Sequence, residues 1–197
     1  HSIREMMFKT PDAAPNSPVK QDCEKCLNLE IVLKNSDTGV KLGDDRGGYM
    51  SDLKLTNAEA RRLLSMTKRS LIAELSLPVS GGEKEFEVNG DAKKEIFIVK
   101  VYRGKIQPLK YNIGARIKKN GTMLLELHMN PSNVHCNPDG QKIKGSHWHI
   151  YTEEYGRSYA FQADDIQSES FVDSTISFLT RFNVIEQPKI TYQFELL

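Results

Sequence analysis

Asn120-Gly121 is the feature that most constrains what this chain can fold into. Both residues tolerate the positive φ of a tight two-residue turn, and such a turn twists in the same sense as the strands it joins. Residues 110–118 and 123–129 flank it as two stretches with strand character. Together they read as an antiparallel hairpin. Strand patterning continues around it, in residues 71–77, 86–88, 96–102, 147–151 and 159–163. Residues 96–102 are the most β-branched and aromatic of these. At the end of the chain Ile190, Tyr192, Phe194 and Leu196 alternate with Thr191, Gln193 and Glu195.

Two segments follow a helical period instead. Thr56 and Glu59 form a T-x-x-E capping box. Ala60, Leu63, Leu64 and Thr67 then recur at helical spacing, which predicts a helix over about 57–68. A second helix is predicted over about 168–182, with Phe171, Thr175, Phe178, Leu179 and Phe182 on one face. The expected fold class is therefore α+β. It consists of a mostly antiparallel sheet of about seven strands, strongly curved or barrel-like, packed with two helices. Residues 1–22, rich in Pro, Lys, Ser and Asn, read as a flexible tail. Residues 23–52 hold a short alternating strand (Leu27, Leu29, Ile31, Leu33) and a loop carrying Gly39, Gly43, Gly47 and Gly48. Residues 53–197 form the single α+β domain.

Charge narrows the function classes. Lys plus Arg number 27 and Asp plus Glu 26, a net charge of +1, so the total charge calls for neither nucleic acid nor an anionic membrane. No apolar run approaches the ~18 residues a membrane helix requires, and no secretory signal is evident at the N-terminus. The three cysteines, Cys23, Cys26 and Cys136, are too few and odd in number for a disulfide framework. The expected location is the cytoplasm. Dinucleotide and P-loop glycine patterns, the nucleophile elbow and the H-E-x-x-H zinc helix are all absent.

What remains is a histidine constellation. Four of the five histidines, His128, His135, His147 and His149, lie between positions 128 and 149. On a strand, His147, His149 and Tyr151 share one face, while Trp148 and Ile150 take the other. If Trp148 and Ile150 are buried, the histidine face is the open one. Two imidazoles on an open face can act as acid and base, with Tyr151 positioning a group or donating a proton. Cleavage of RNA by its own 2′-hydroxyl needs such a pair and a cation for the phosphate, here Arg103, Arg116, Lys144 or Arg157. His135 in the preceding loop can reach over that face. The same H-x-H pair can instead supply two metal ligands, with His135, His128 or a carboxylate as a third. Cys23-x-x-Cys26 can also chelate zinc as half of a site, which makes zinc the candidate cofactor. The segment Asn137-Pro138-Asp139-Gly140 lacks the further carboxylates of a calcium loop and reads as a turn.

The stretch from His135 through Gly140, the strand His147-Trp148-His149-Ile150-Tyr151, and Tyr159-Ala160 together resemble a family of small uncharacterised proteins of Gram-positive bacteria and their prophages. Thr56-Asn57-Ala58-Glu59-Ala60 and the basic-ended strand over 98–104 fit the same pattern. The resemblance covers about residues 53–197. Tyr159 stands where the family pattern has Trp, and His128 falls outside it, which leaves His135, His147, His149 and Tyr151 as the site. The resemblance implies no reaction. Three functions are compatible: a toxin- or defence-type RNA-cleaving protein, a non-catalytic modulator docking on a host or defence protein, and a zinc-stabilised binding module.

Overall fold

The structure, a computed structural model, describes residues 54–192 except 92, 93, 108, 131 and 167–169. The predicted tail, the strand and glycine loop of residues 23–52, the Cys23/Cys26 pair and the last residues of the C-terminal strand lie outside the described residues.

Helix α1 spans Asn57–Ser65 and α2 spans Phe171–Arg181. The Thr56–Glu59 capping box forms as the sequence predicts, with the Thr56 side chain accepting from the Glu59 backbone and the Glu59 carboxylate accepting from Thr56 N. In chain order the strands are β1 (Lys68–Ser70), β2 (Glu74–Ser76), β3 (Glu83–Gly90), β4 (Ile96–Arg103), β5 (Tyr111–Ile117) and β6 (Met123–Met129). They continue with β7 (Val134–Cys136), β8 (Lys142–Lys144), β9 (His147–Ile150), β10 (Ala160–Gln162), β11 (Val184–Glu186) and β12 (Lys189–Thr191).

Eight strands make the main sheet, in the order β10-β9-β6-β5-β4-β3-β1-β11. Its pairings are antiparallel except β1–β11. The fold is the α+β class expected, and the sheet is open rather than barrel-closed, with β10 and β11 as its ends. Asn120-Gly121 joins β5 to β6 with Gly121 at φ 74°.

Three departures from the expected elements have physical causes. The first helix stops at Ser65, because Lys68 leaves it to pair with β3 and β11 and its backbone donates to Asn183 O. Residues 71–77 form no single strand; β1 and β2 belong to different sheets, the second pairing parallel with β12. The loop before His147 contains a hairpin of its own, β7–β8, turned through Asn137–Gly140.

Alternation divides the sheet into two faces. Phe86, Val88, Phe97, Val99, Val101, Ile113, Leu125, Leu127 and Trp148 are buried on one face with Leu63, Phe178, Leu179 and Phe182 of the helical side. The opposite face carries, across β3 to β5, the ion pairs Glu83–Lys100, Glu85–Arg116 and Glu87–Lys118. Followed toward β10, that same polar face presents Glu126 and His128 on β6, then His147 and His149 on β9.

Candidate metal centre

Strand β9 is fixed from its core side. Trp148 is buried, stacks on Phe178 at 6.0 Å between ring centroids, and donates its indole N–H to Asp165 Oδ1 at 2.7 Å. Arg181 of α2 pairs with the other Asp165 oxygen at 2.7 Å and lies 4.7 Å over the Trp148 ring. With Trp148 held, strand parity forces His147 and His149 to the opposite face.

Register decides what they meet there. Glu126 lies opposite His149, and His128 opposite His147. Glu126 and His128 face outward because Leu125, Leu127 and Met129 take the core side. The His128 ring stands 5.2 Å from His147 and 4.7 Å from His149. From the other side His135 on β7 closes to 5.2 Å from His147 and 4.9 Å from His149. His128, which falls outside the family resemblance, stands at the centre of the cluster.

Strand parity predicts an open histidine face, but the face is closed: His147 is wholly buried and His149 is 6% exposed. The β7–β8 hairpin covers them. Asn137, itself buried, anchors that hairpin by donating to Ala160 O at 2.9 Å and accepting from Ala160 N at 2.7 Å. Its amide thus satisfies backbone groups of strand β10 at the end of the sheet, where no further strand pairs among the described residues. Gln162 adds bonds to the carbonyls of Lys144 and Ser146.

Hydrogen bonds assign ring nitrogens. His147 Nδ1 lies 2.8 Å from Gly145 O, and a carbonyl can only accept, so Nδ1 carries the proton. Nε2 is then a bare lone pair, and it is buried without a hydrogen-bond partner among the described residues. His149 Nδ1 is also buried without a hydrogen-bond partner among the described residues. Buried polar atoms normally find partners; two such nitrogens in one cluster point to a ligand. His135 Nε2 likewise faces a carbonyl, Ser158 O, at 3.2 Å. At His147, a backbone carbonyl fixes one imidazole nitrogen while the other is bare, the arrangement found behind metal-binding histidines.

Charge agrees. Burial lowers the pKa of His149 to about 4, helped by His128, His147 and His135. Burial also lowers that of His147, against the Gly145 bond. Both are neutral at pH 7, the form that binds metals. Burial pushes Glu126 upward, but His128, Arg157 and His149 outweigh it, and its pKa is lowered. Its Oε1 stands 3.7 Å from His128 Nε2, and its Oε2 stands 3.4 Å from Arg157 Nε in an ion pair without hydrogen-bond geometry. Space for the Glu126 stem comes from Gly114 opposite, where an added Cβ would sit 3.3 Å from Glu126 Cγ.

The remaining predicted residues divide. Arg157 joins the site. Arg116 shares the face but is engaged by Glu85 at 3.0 Å. Arg103 lies on the core side of β4, over the Tyr192 ring at 5.2 Å. Tyr151 does not continue the histidine row: β9 ends at Ile150 beside the bulge at Leu124, and the Tyr151 ring packs on the core with its hydroxyl donating to Leu55 O at 3.3 Å. Glu126 was missed. The alternation of residues 123–129 places it beside His128, so E-x-H on one strand was the available signal.

An open, mostly antiparallel sheet backed by helices, with a partly buried histidine cluster under a hairpin, defines the class: an α+β protein with a candidate metal centre. The chain belongs to a family of unknown function (DUF6978), whose model matches residues 55–184. No curated protein and no solved structure matches it.

Proposed function

We propose that this protein is a metal-dependent enzyme whose divalent transition-metal ion is held by His128, His147 and His149. One observation carries the reading: the three residues each offer a ligand nitrogen, all within 4.8 Å of one another, on two adjacent strands. Small side-chain rotations bring nitrogens at that spacing to the ~2.0–2.1 Å bonds of a zinc–imidazole site. Three imidazoles leave a coordination position for water, and an ion there would lower that water's pKa and polarise a scissile bond. Glu126, adjacent and ionised, is placed to accept the proton. Imidazole donors suit zinc, iron, copper and nickel, and a set without carboxylate ligands disfavours magnesium and calcium.

The test is metal content. The full chain, dialysed with zinc, cobalt, copper or nickel and then freed of excess, should retain about one ion per chain by elemental analysis. The double variant His147→Ala/His149→Ala should retain none. A wild-type chain that holds no ion at micromolar concentrations sinks the reading.

A second reading keeps the same residues without metal. RNA cleavage by His135, His147 and His149 as acid and base is supported by their packing within 5.2 Å of each other and by Arg157 at the rim. It suits the toxin or defence role expected from the prophage resemblance. Cleavage of RNA in excess chelator, abolished by His147→Ala, would favour it over the metal centre.

A further inference from the structure

Resting on the metal reading, we infer that the substrate carries a phosphoryl group and that Arg157 receives it. Arg157 is not an incidental surface arginine. The turn before it is pinned by paired backbone bonds between Thr152 and Gly156, at 2.9 and 2.7 Å, with Gly156 at φ 58°. The same turn is tied to the start of α1, where Glu153 N donates to Asn57 Oδ1 at 2.9 Å and Asn57 N donates to the Glu153 carboxylate at 3.1 Å. The next residue, Ser158, reaches His135 through its carbonyl. Positions 157 and 158 are thereby fastened at the rim of the cluster from both sides.

Within that frame the guanidinium has one ion pair among the described residues, Glu126 Oε2 against Nε. Nε is the inner nitrogen of the fork, so this contact orients the group and leaves the terminal nitrogens for another acceptor. The Arg157 side chain is 62% exposed while Glu126 is 11% exposed. The outer edge therefore faces solvent directly beside the centre. An arginine fork held in this way binds oxyanions through two parallel hydrogen bonds. A divalent ion and Arg157 together outweigh the single charge of Glu126. That surplus matches the dianion of a phosphate better than the single charge of a carboxylate.

The experiment uses the full chain loaded with cobalt(II), whose visible bands report its ligands, titrated with inorganic phosphate or acetate. Phosphate should shift the bands of the wild type at millimolar concentration or below. Arg157→Ala should weaken that binding at least ten-fold, Arg157→Lys should recover part of it, and Arg69→Ala should match the wild type. Unchanged phosphate affinity in Arg157→Ala, with cobalt still bound, overturns this inference alone. Acetate binding as tightly as phosphate with the same dependence on Arg157 overturns the phosphoryl assignment. Absence of cobalt bands in the wild type overturns the metal reading and this inference with it.

Discussion

His149 carries the clearest pH signature at the scale of single residues. Its folded pKa of about 4 lies below the ordinary 6.5. Between those values the unfolded chain binds the proton and the folded one does not, so acid favours unfolding. The destabilisation contributed by His149 in the metal-free protein should be absent above pH 6.5, grow as pH drops toward 4, and level off below. The loss attributable to His149 is about 3 kcal/mol at most, at ~1.4 kcal/mol per pKa unit. Urea midpoints measured across that range check it, and His149→Phe should flatten the slope. Gly114 makes a second prediction. In Gly114→Val the added bulk must displace Glu126, whose Cγ already lies 3.3 Å from the Cβ position. Metal affinity or turnover should drop while far-ultraviolet circular dichroism stays unchanged.

Among elements, the β7–β8 hairpin decides whether the cluster is sheltered. It is short, and Asn137 is its main polar anchor to β10. Asn137→Ala removes two buried bonds and leaves the Ala160 amide and carbonyl without those partners, at about 1 kcal/mol each. A loss of ~2 kcal/mol is expected. Hydrogen exchange should quicken in residues 134–144 and at Ala160, ahead of β4 and β5. The hairpin covers His147 and His149, two of the proposed ligands, so the variant should also bind metal more weakly.

Across the whole molecule, Lys68 joins parts far apart in the chain. Its ammonium is fully buried and donates to Leu64 O at 3.0 Å, Met66 O at 2.9 Å and Phe182 O at 2.9 Å. These carbonyls lie at the C-terminal ends of α1 and α2, where helix dipoles place negative charge. Burial draws its pKa down to about 7, opposed by Asp91 and Glu95, and the rings of Phe182 and Phe97 flank it. Lys68→Met keeps the volume and strips the donors from three carbonyls. It should cost about 3 kcal/mol, read as a lower thermal midpoint, without altering the geometry of the distant histidine cluster. No helix among the described residues is long and apolar enough to cross a membrane.

Local chemistry made part of this protein readable from its residues alone. The capping box at Thr56, the hairpin at Asn120-Gly121, the alternation that buries Trp148 and turns His147 and His149 away from it, and the α+β class all depend on neighbours a few positions apart. Those interactions are written into adjacent residues. What lay beyond reach was register and cover. Nothing local to residues 123–129 says that His128 pairs opposite His147, so the strand order β5-β6-β9 alone brought it back and added Glu126. Strand parity promised Tyr151 to the same row, but β9 stops one residue earlier and the core takes that ring. The helix that should have run to Lys68 ended at Ser65, because a long-range strand pairing and three carbonyls hold Lys68 more firmly than another helical turn could. The histidines' burial was likewise decided by a hairpin folding back from the preceding loop. The chain by itself determined which face His147 and His149 would take; the tertiary structure determined that the face would be closed and joined by His128, His135 and Glu126, because only packing between distant segments removes water from a polar face.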